Sequence, residues 1–205
     1  MRFSPSSVGL CLGVAVVVTS VAPALADAPL LDYDVTEIDS PNRRFFAKAA
    51  PDESSTSVFR RERQGPGILL WTMPGWSPVS FLSDDGEYLA IGYAGVNLLP
   101  LNYKPDDVMV SFYKRGKLVR AVRLNEIISD LRNLERGNSH YGWGMNVGFS
   151  GLHQFLVETA EPGHQRRLVF DVTTGTLLGS TPSPPAQLDL PRKTRRTPKA
   201  TSGAR

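Results

Sequence analysis

Between residues 27 and 180, short apolar runs rich in β-branched and aromatic residues alternate with Gly, Pro, Asn and Asp. Runs of this length favour β-strands, and the residues between them favour turns. The clearest hairpin pairs 108–113 with 117–122 around Gly116, and a second pairs 167–172 with 176–178 around Gly175. The pattern predicts an all-β, mostly antiparallel fold.

One segment departs from the strand pattern. Between residues 124 and 136 the apolar positions recur at i, i+3, i+4, i+7 and i+10, a spacing that lines one face of a helix. Gly137 and Asn138 follow as a stop signal. We therefore predict one inserted amphipathic helix over 124–136, with its apolar face in the core. The apolar residues are Leu124, Ile127, Ile128, Leu131 and Leu134.

The chain also aligns with itself. Residues 81–90 align without gaps with 148–157 and more loosely with 38–47, each copy reading strand, Ser-led turn, aromatic residue, strand. Each copy leads into a second hairpin. The recurrence of these copies along the chain predicts three repeats of about four strands each, within a single β-rich domain over 27–180. His153 stands where the second copy has its turn glycine, Gly86, so we expect His153 to be exposed.

The turn Ser83-Asp84-Asp85-Gly86, followed by a strand pair that ends in a Gly turn, resembles a blade of TolB-type and WD-like β-propellers. An ordered set of motifs resembles, more closely, a family of small exported bacterial proteins of uncharacterised function. The resemblance implies export and blade-like sheets, without an activity. Three blades are too few for an ordinary propeller, which leaves a partial propeller, an open sandwich or closure by self-association. The motifs are Leu70-Trp71, Gly75-Trp76, Phe81 to Gly86, Phe112-Tyr113, Gly116-Lys117-Leu118 and Ser139-His140-Tyr141-x-Trp143.

Residues 1–26 have the three parts of a cleavable secretory signal peptide. Arg2 provides the positive charge, 8–18 is the apolar run, and small residues precede a cleavage site between Ala26 and Asp27. A periplasmic or extracellular location follows. Because the single cysteine, Cys11, lies in the signal, the mature chain depends on hydrophobic burial without disulfides.

Residues 181–205 form a Pro-rich segment with six Lys or Arg residues against one Asp. Few large apolar residues are present, which predicts a disordered tail. Its charge suits an anionic envelope surface. No nucleic-acid partner is expected, since the protein is predicted to leave the cytoplasm.

The motifs of common catalytic and cofactor sites are missing from the sequence. There is no Gly-x-Ser-x-Gly, His-Glu-x-x-His or phosphate-binding loop. The three histidines, His140, His153 and His164, come from separate segments, so neither a metal site nor a cofactor is predicted.

A group of aromatic residues provides the candidate binding site. Trp76 and the segment His140-Tyr141-Gly142-Trp143 lie on predicted connections, where binding residues concentrate. Flat rings with polar tips suit a sugar, a peptide or another protein. Core packing stays open as the alternative for Trp76 and Trp143, and we interpret Trp71 as a core residue.

Three functions remain open. We favour a non-catalytic periplasmic or secreted module that recognises an envelope polymer or partner protein. A hydrolase or lyase acting on cell-wall material is the first alternative, with Asp84, Asp107 or Glu158 as acid or base, and it requires two carboxyls in one cleft. A self-assembling structural protein is the second, because an unclosed sheet exposes edge strands.

Overall fold

We describe residues 36–183 in a computed structural model. The predicted signal peptide, its cleavage site and the tail beyond Ser183 lie outside the described residues. The predicted all-β, mostly antiparallel fold is confirmed. In chain order the strands are β1 (Thr36–Asp39), β2 (Phe45–Ala50), β3 (Ser55–Arg60), β4 (Ile68–Pro74), β5 (Ser80–Leu82), β6 (Tyr88–Gly92), β7 (Leu98–Pro100), β8 (Val108–Lys114), β9 (Lys117–Arg123), β10 (Glu135–Arg136), β11 (His140–Gly142), β12 (Gly144–Phe149), β13 (Gln154–Thr159), β14 (Arg166–Asp171) and β15 (Thr176–Pro182).

These strands form three four-stranded sheets and one smaller sheet. The first sheet contains β1 to β4, the second contains β5, β6, β8 and β9, and the third contains β12 to β15. The small sheet joins β10, β11 and β7. The two predicted hairpins are confirmed as β8–β9 around Gly116 and β14–β15 around Gly175. Strand β15 ends at Pro182, so it includes two residues of the segment predicted as the tail.

The second sheet packs against a neighbouring sheet on each of its faces. Leu89 on one face joins a buried cluster with Ala47 and Val58 of the first sheet. On the opposite face, the ring of Phe112 lies 5.5 Å from that of Phe155 and 6.0 Å from that of Phe170, both in the third sheet. The second sheet is therefore the middle layer of the stack.

The predicted helix over 124–136 is wrong. Helix α1 covers only Leu124–Ile127, and a single 3-10 turn follows at Leu131–Asn133. The carboxylate of Glu161 accepts the backbone N–H groups of Ser129 and Asp130, both at 3.2 Å. In a continuing helix these groups would bond to carbonyls four residues earlier. The apolar stripe is nevertheless mostly buried, at Leu124, Ile127, Ile128 and Leu134.

Glu161 is itself buried, with 1% of its surface exposed. Its second oxygen accepts from Arg166 Nη2 at 3.0 Å, and the same nitrogen donates to the Ile127 carbonyl at 2.8 Å. Burial would raise the pKa of Glu161, but hydrogen bonds from Ser129, Asp130 and Arg166 lower it overall. The ionised carboxylate thus ties the segment after α1 to the third sheet.

Replacing this carboxylate should be strongly destabilising. We expect Glu161→Ala to lower the free energy of unfolding by about 2–4 kcal/mol, because the N–H groups of Ser129 and Asp130 lose their acceptor and Arg166 loses its ionic partner. Glu62→Ala, at an exposed position, should change it by less than about 0.5 kcal/mol. Equilibrium unfolding in urea measures both variants. Equal free energies of unfolding for the two variants would contradict the structural role of Glu161.

Candidate binding site

Trp143, one of the predicted binding residues, lies in the core. Its side chain has no exposed surface and packs in the cluster between the second and third sheets. The indole Nε1 donates to the Val96 carbonyl at 2.9 Å. A ligand cannot reach this ring, so we assign Trp143 to core packing and remove it from the candidate site.

The other predicted binding residues are half-buried and lie on two different elements. Trp76 is in the connection between β4 and β5, whereas His140 and Tyr141 are consecutive residues of β11. The ring of Tyr141 packs edge-on against Tyr103, with centroids 5.2 Å apart. Binding by these three residues stays a prediction. Trp71 packs against the cluster between the first and second sheets, as interpreted.

Polar contacts join the Ser-led turns of the three large sheets. The backbone N–H of Asn42 donates to Asp84 Oδ1 at 2.7 Å, and its side-chain Nδ2 donates to the Asp84 carbonyl at 2.8 Å. From the same turn, Asp85 Oδ2 lies 3.2 Å from Nε2 of His153 in the third turn. The His153 ring also packs against Tyr88. His153 is half-buried between two sheets, which differs from the exposure we expected.

The third turn is one residue shorter than the other two. Asp39 pairs with Phe46 and Leu82 with Leu89, whereas Phe149 pairs with Phe155. The gap-free alignment is therefore wrong after Ser150, and Phe155 corresponds to Leu89. A shift of one residue moves a side chain to the opposite face of a strand. Phe155 consequently faces the second sheet, as Leu89 faces the first.

A cleft of about 190 Å³ lies where the first strands of the three sheets meet. Most of the residues that line it are apolar, but polar and apolar atoms contribute equally to its wall. Val147, at a register shift in β12, is 42% exposed. The carboxylate of Asp39 is the acidic group in this lining, and it is ion-paired with Arg61. The lining residues are Ile38, Asp39, Pro41, Phe81, Leu82, Val147, Gly148 and Phe149.

This cleft was not predicted, although the internal alignment contained a signal for it. Ile38, Phe81 and Gly148 open the three aligned copies, and all three line the cleft. Equivalent positions at the start of repeated units converge when the units pack side by side. Convergence of the three copies could therefore have been inferred from their alignment.

Two further observations concern residues 36–183 alone. This range holds no cluster of three or more His, Cys, Asp or Glu side chains arranged to bind a metal ion. Its helices are too short to cross a membrane.

Comparisons with known proteins found little similarity. No family model and no curated protein matches the sequence. Among solved structures, hydrazine synthase from Kuenenia stuttgartiensis matches with a TM-score of 0.35 and 14% identity. The match covers 70% of this chain and 35% of the other. A similarity this low supports no inference about fold or function.

The contacts of Asp85 predict that the interaction between the second and third turns is sensitive to acid. Burial would raise the pKa of Asp85, but the Ser83 hydroxyl, the Glu87 N–H and His153 together lower it below 3.8. The ionised carboxylate therefore stabilises the fold above that value, and the contribution disappears as the pH falls through the lowered pKa. The stability advantage of the wild type over Asp85→Asn should shrink as the pH falls from above the ordinary Asp value of 3.8 to below the lowered pKa.

Urea unfolding of both proteins across this pH range measures the effect. Asp52→Asn, at an exposed position, is the control and should track the wild type at every pH. A constant difference between wild type and Asp85→Asn would show that the carboxylate makes no such contribution.

Core placement of Trp143 predicts a large loss of stability on truncation. Trp143→Ala should cost about 3–5 kcal/mol, since it leaves a cavity and removes the bond to Val96. Trp76→Ala removes a half-buried ring and should cost less. Thermal and urea unfolding compare the two variants. An unchanged midpoint for Trp143→Ala would contradict the core assignment.

Proposed function

We propose that the protein is a non-catalytic binding module of the cell envelope, which holds an apolar side chain of a partner protein in the cleft between β1, β5 and β12. The cleft is the observation that carries this proposal. Its volume of about 190 Å³ is below the range of about 300–1,000 Å³ that is common for small-molecule pockets. A single anchoring side chain suits this size, and such anchors dominate many protein interfaces.

The three large sheets are, in this proposal, blades of a partial β-propeller. Each sheet consists of four antiparallel strands that lie in chain order from one edge to the other. The first strands of the three sheets come together at the cleft. The resemblance of the Ser83 turn to propeller blades supports the same arrangement. The cleft then lies on the inner strands, where a propeller has its central channel.

The envelope location rests on the signal-peptide pattern. Arg2, the apolar run and the small residues before Asp27 support export. The basic residues at the C-terminus would add attraction to an anionic surface, such as lipid or polysaccharide. An envelope polymer is the alternative occupant, and we favour a protein because most residues that line the cleft have apolar side chains.

The enzymatic alternative receives less support from the geometry. The acids considered for catalysis are engaged in local structure: Asp84 accepts from Asn42, Asp107 accepts the Lys104 N–H at 2.8 Å, and Glu158 is bonded to Arg167. The cleft contributes one carboxylate, that of Asp39. Acid–base hydrolysis needs two acting on one bond.

A photo-crosslinking amino acid at position 147 tests the proposed cleft. Val147 is exposed and lines the cleft, so the substitution should be tolerated and any bound partner should lie within reach. Irradiation of exporting bacteria should give one dominant adduct with an envelope protein, which mass spectrometry identifies. Val147→Asp should then abolish binding of that purified partner.

The matched control places the same amino acid at Leu118, a 58% exposed residue of β9 at the far edge of the second sheet. Adducts that are equally abundant at both positions would contradict a site at the cleft. Adducts with polysaccharide in place of protein would favour the polymer alternative. Binding that survives Val147→Asp would place the contact elsewhere.

A further inference from the structure

The outer face of the third sheet carries a flat apolar row. Leu156, Val169 and Gly179 lie side by side on β13, β14 and β15. The opposite face of these strands carries Phe155 and Phe170, which pack on the second sheet. Side chains alternate between faces, so the row points away from the stack. Leu156 and Val169 retain partial exposure there.

Charged residues flank this row on both sides. On one side Glu158 and Arg167 face each other across the strand pair, and Arg167 Nε donates to Glu158 Oε1 at 2.9 Å. On the other side Gln154 lies opposite Asp171. The side chain of Arg167 is 40% exposed, so it remains accessible to a second molecule. Met145, beside Glu158, adds an apolar side chain that is 46% exposed.

The outer face of the first sheet, at the other end of the stack, is partly covered by cationic side chains. Phe46 stacks on Phe59 with centroids 5.1 Å apart, and the Arg61 guanidinium lies 4.6 Å from the centre of the Phe46 ring. Lys48 lies over the same ring at 5.7 Å. Only 4% of Phe46 remains exposed. Leu69, opposite Phe59 on β4, is 56% exposed, so the cover is confined to the two aromatic rings.

We infer that the outer face of the third sheet packs against the same face of a second copy of the chain, around a two-fold axis. Isologous two-fold contacts are the commonest arrangement of homo-oligomers. Gly179 at one end keeps the row low there, so two sheets can approach to the usual distance of about 10 Å. Leu156 and Val169 of each copy then cover those of the other.

The flanking charges match for either direction of the two-fold axis in the interface plane. An axis along the strands places Arg167 of one copy opposite Glu158 of the other. An axis across the strands places Arg167 opposite Asp171 of the other. In both cases a guanidinium meets a carboxylate, and charge complementarity of this kind fixes the register of an interface.

Sedimentation equilibrium of the protein, purified as the exporting cell processes it, tests this interface. Over concentrations from about 1 to 100 μM, the mass should rise from that of one chain to that of two. Met145→Asp and Arg167→Glu should each weaken dimerisation at least tenfold, since one buries an unpaired charge and the other opposes like charges. Combining Arg167→Glu with Glu158→Arg should restore the dimer if the axis runs along the strands, and combining it with Asp171→Arg should do so if the axis runs across them.

Leu118→Asp, at an exposed residue of the second sheet, is the control and should dimerise like the wild type. Unfolding midpoints confirm that each variant is folded. A single-chain mass at every concentration would overturn the inference. A dimer that withstands both Met145→Asp and Arg167→Glu would do so as well, because its interface would lie elsewhere. The crosslinking experiment at Val147 tests the cleft separately, because its expected adduct is with a foreign protein and not with a second copy of the chain.

Discussion

The second sheet is buried on both faces, and the rest of the structure depends on this constraint. In β6, Leu89 and Ala90 point to opposite faces, and neither retains exposed surface. Such a strand is stable only when an apolar layer covers each side. The first and third sheets are these layers. The mature chain is predicted to have no disulfides, so burial of apolar surface must supply most of its stability.

Polar contacts hold the sheets together at the ends where their turns lie, while apolar side chains pack between the sheets. Gly86 shows how closely the first two sheets approach: a Cβ at this position would lie 2.5 Å from the Phe45 ring. Its φ of +69° also favours glycine. At the opposite interface, Arg120 Nη1 donates to the Gly175 carbonyl at 2.9 Å. Backbone contacts of this kind fix the spacing that the buried side chains must fill.

Local signals predicted the strands well, because turn residues and alternation act over a few positions. Gly116 and Gly175 mark hairpins that need no distant partner. The helix over 124–136 was wrong because its competitor is remote in sequence: Glu161 takes the N–H groups that would continue the helix. The self-alignment correctly located the turns but missed a deletion after Ser150, and a one-residue error exchanges the two faces.

The candidate site shows the same division between local and distant effects. Trp143 and Trp76 both stand beside glycines in the sequence, yet Trp143 is fully buried in the core and bonded to Val96. Only the packing of distant segments could separate the two. The cleft likewise combines residues from three parts of the chain, and their convergence follows from the stacking of the sheets.

A stack of sheets has two outer faces. What covers each face decides whether the protein remains a monomer or associates with another chain. The first sheet covers its own aromatic residues with Arg61 and Lys48, and their charges remain in contact with water. In the third sheet, Leu156 and Val169 are aliphatic and stay partly exposed, and the paired charges of Glu158 and Arg167 cancel. A cation over an aromatic ring tolerates solvent, whereas a flat apolar row gains by leaving it. Burial of the row against a second copy also brings each of these charges opposite its counterpart, so a two-fold pair is favoured although Leu69 leaves apolar surface exposed at the other end.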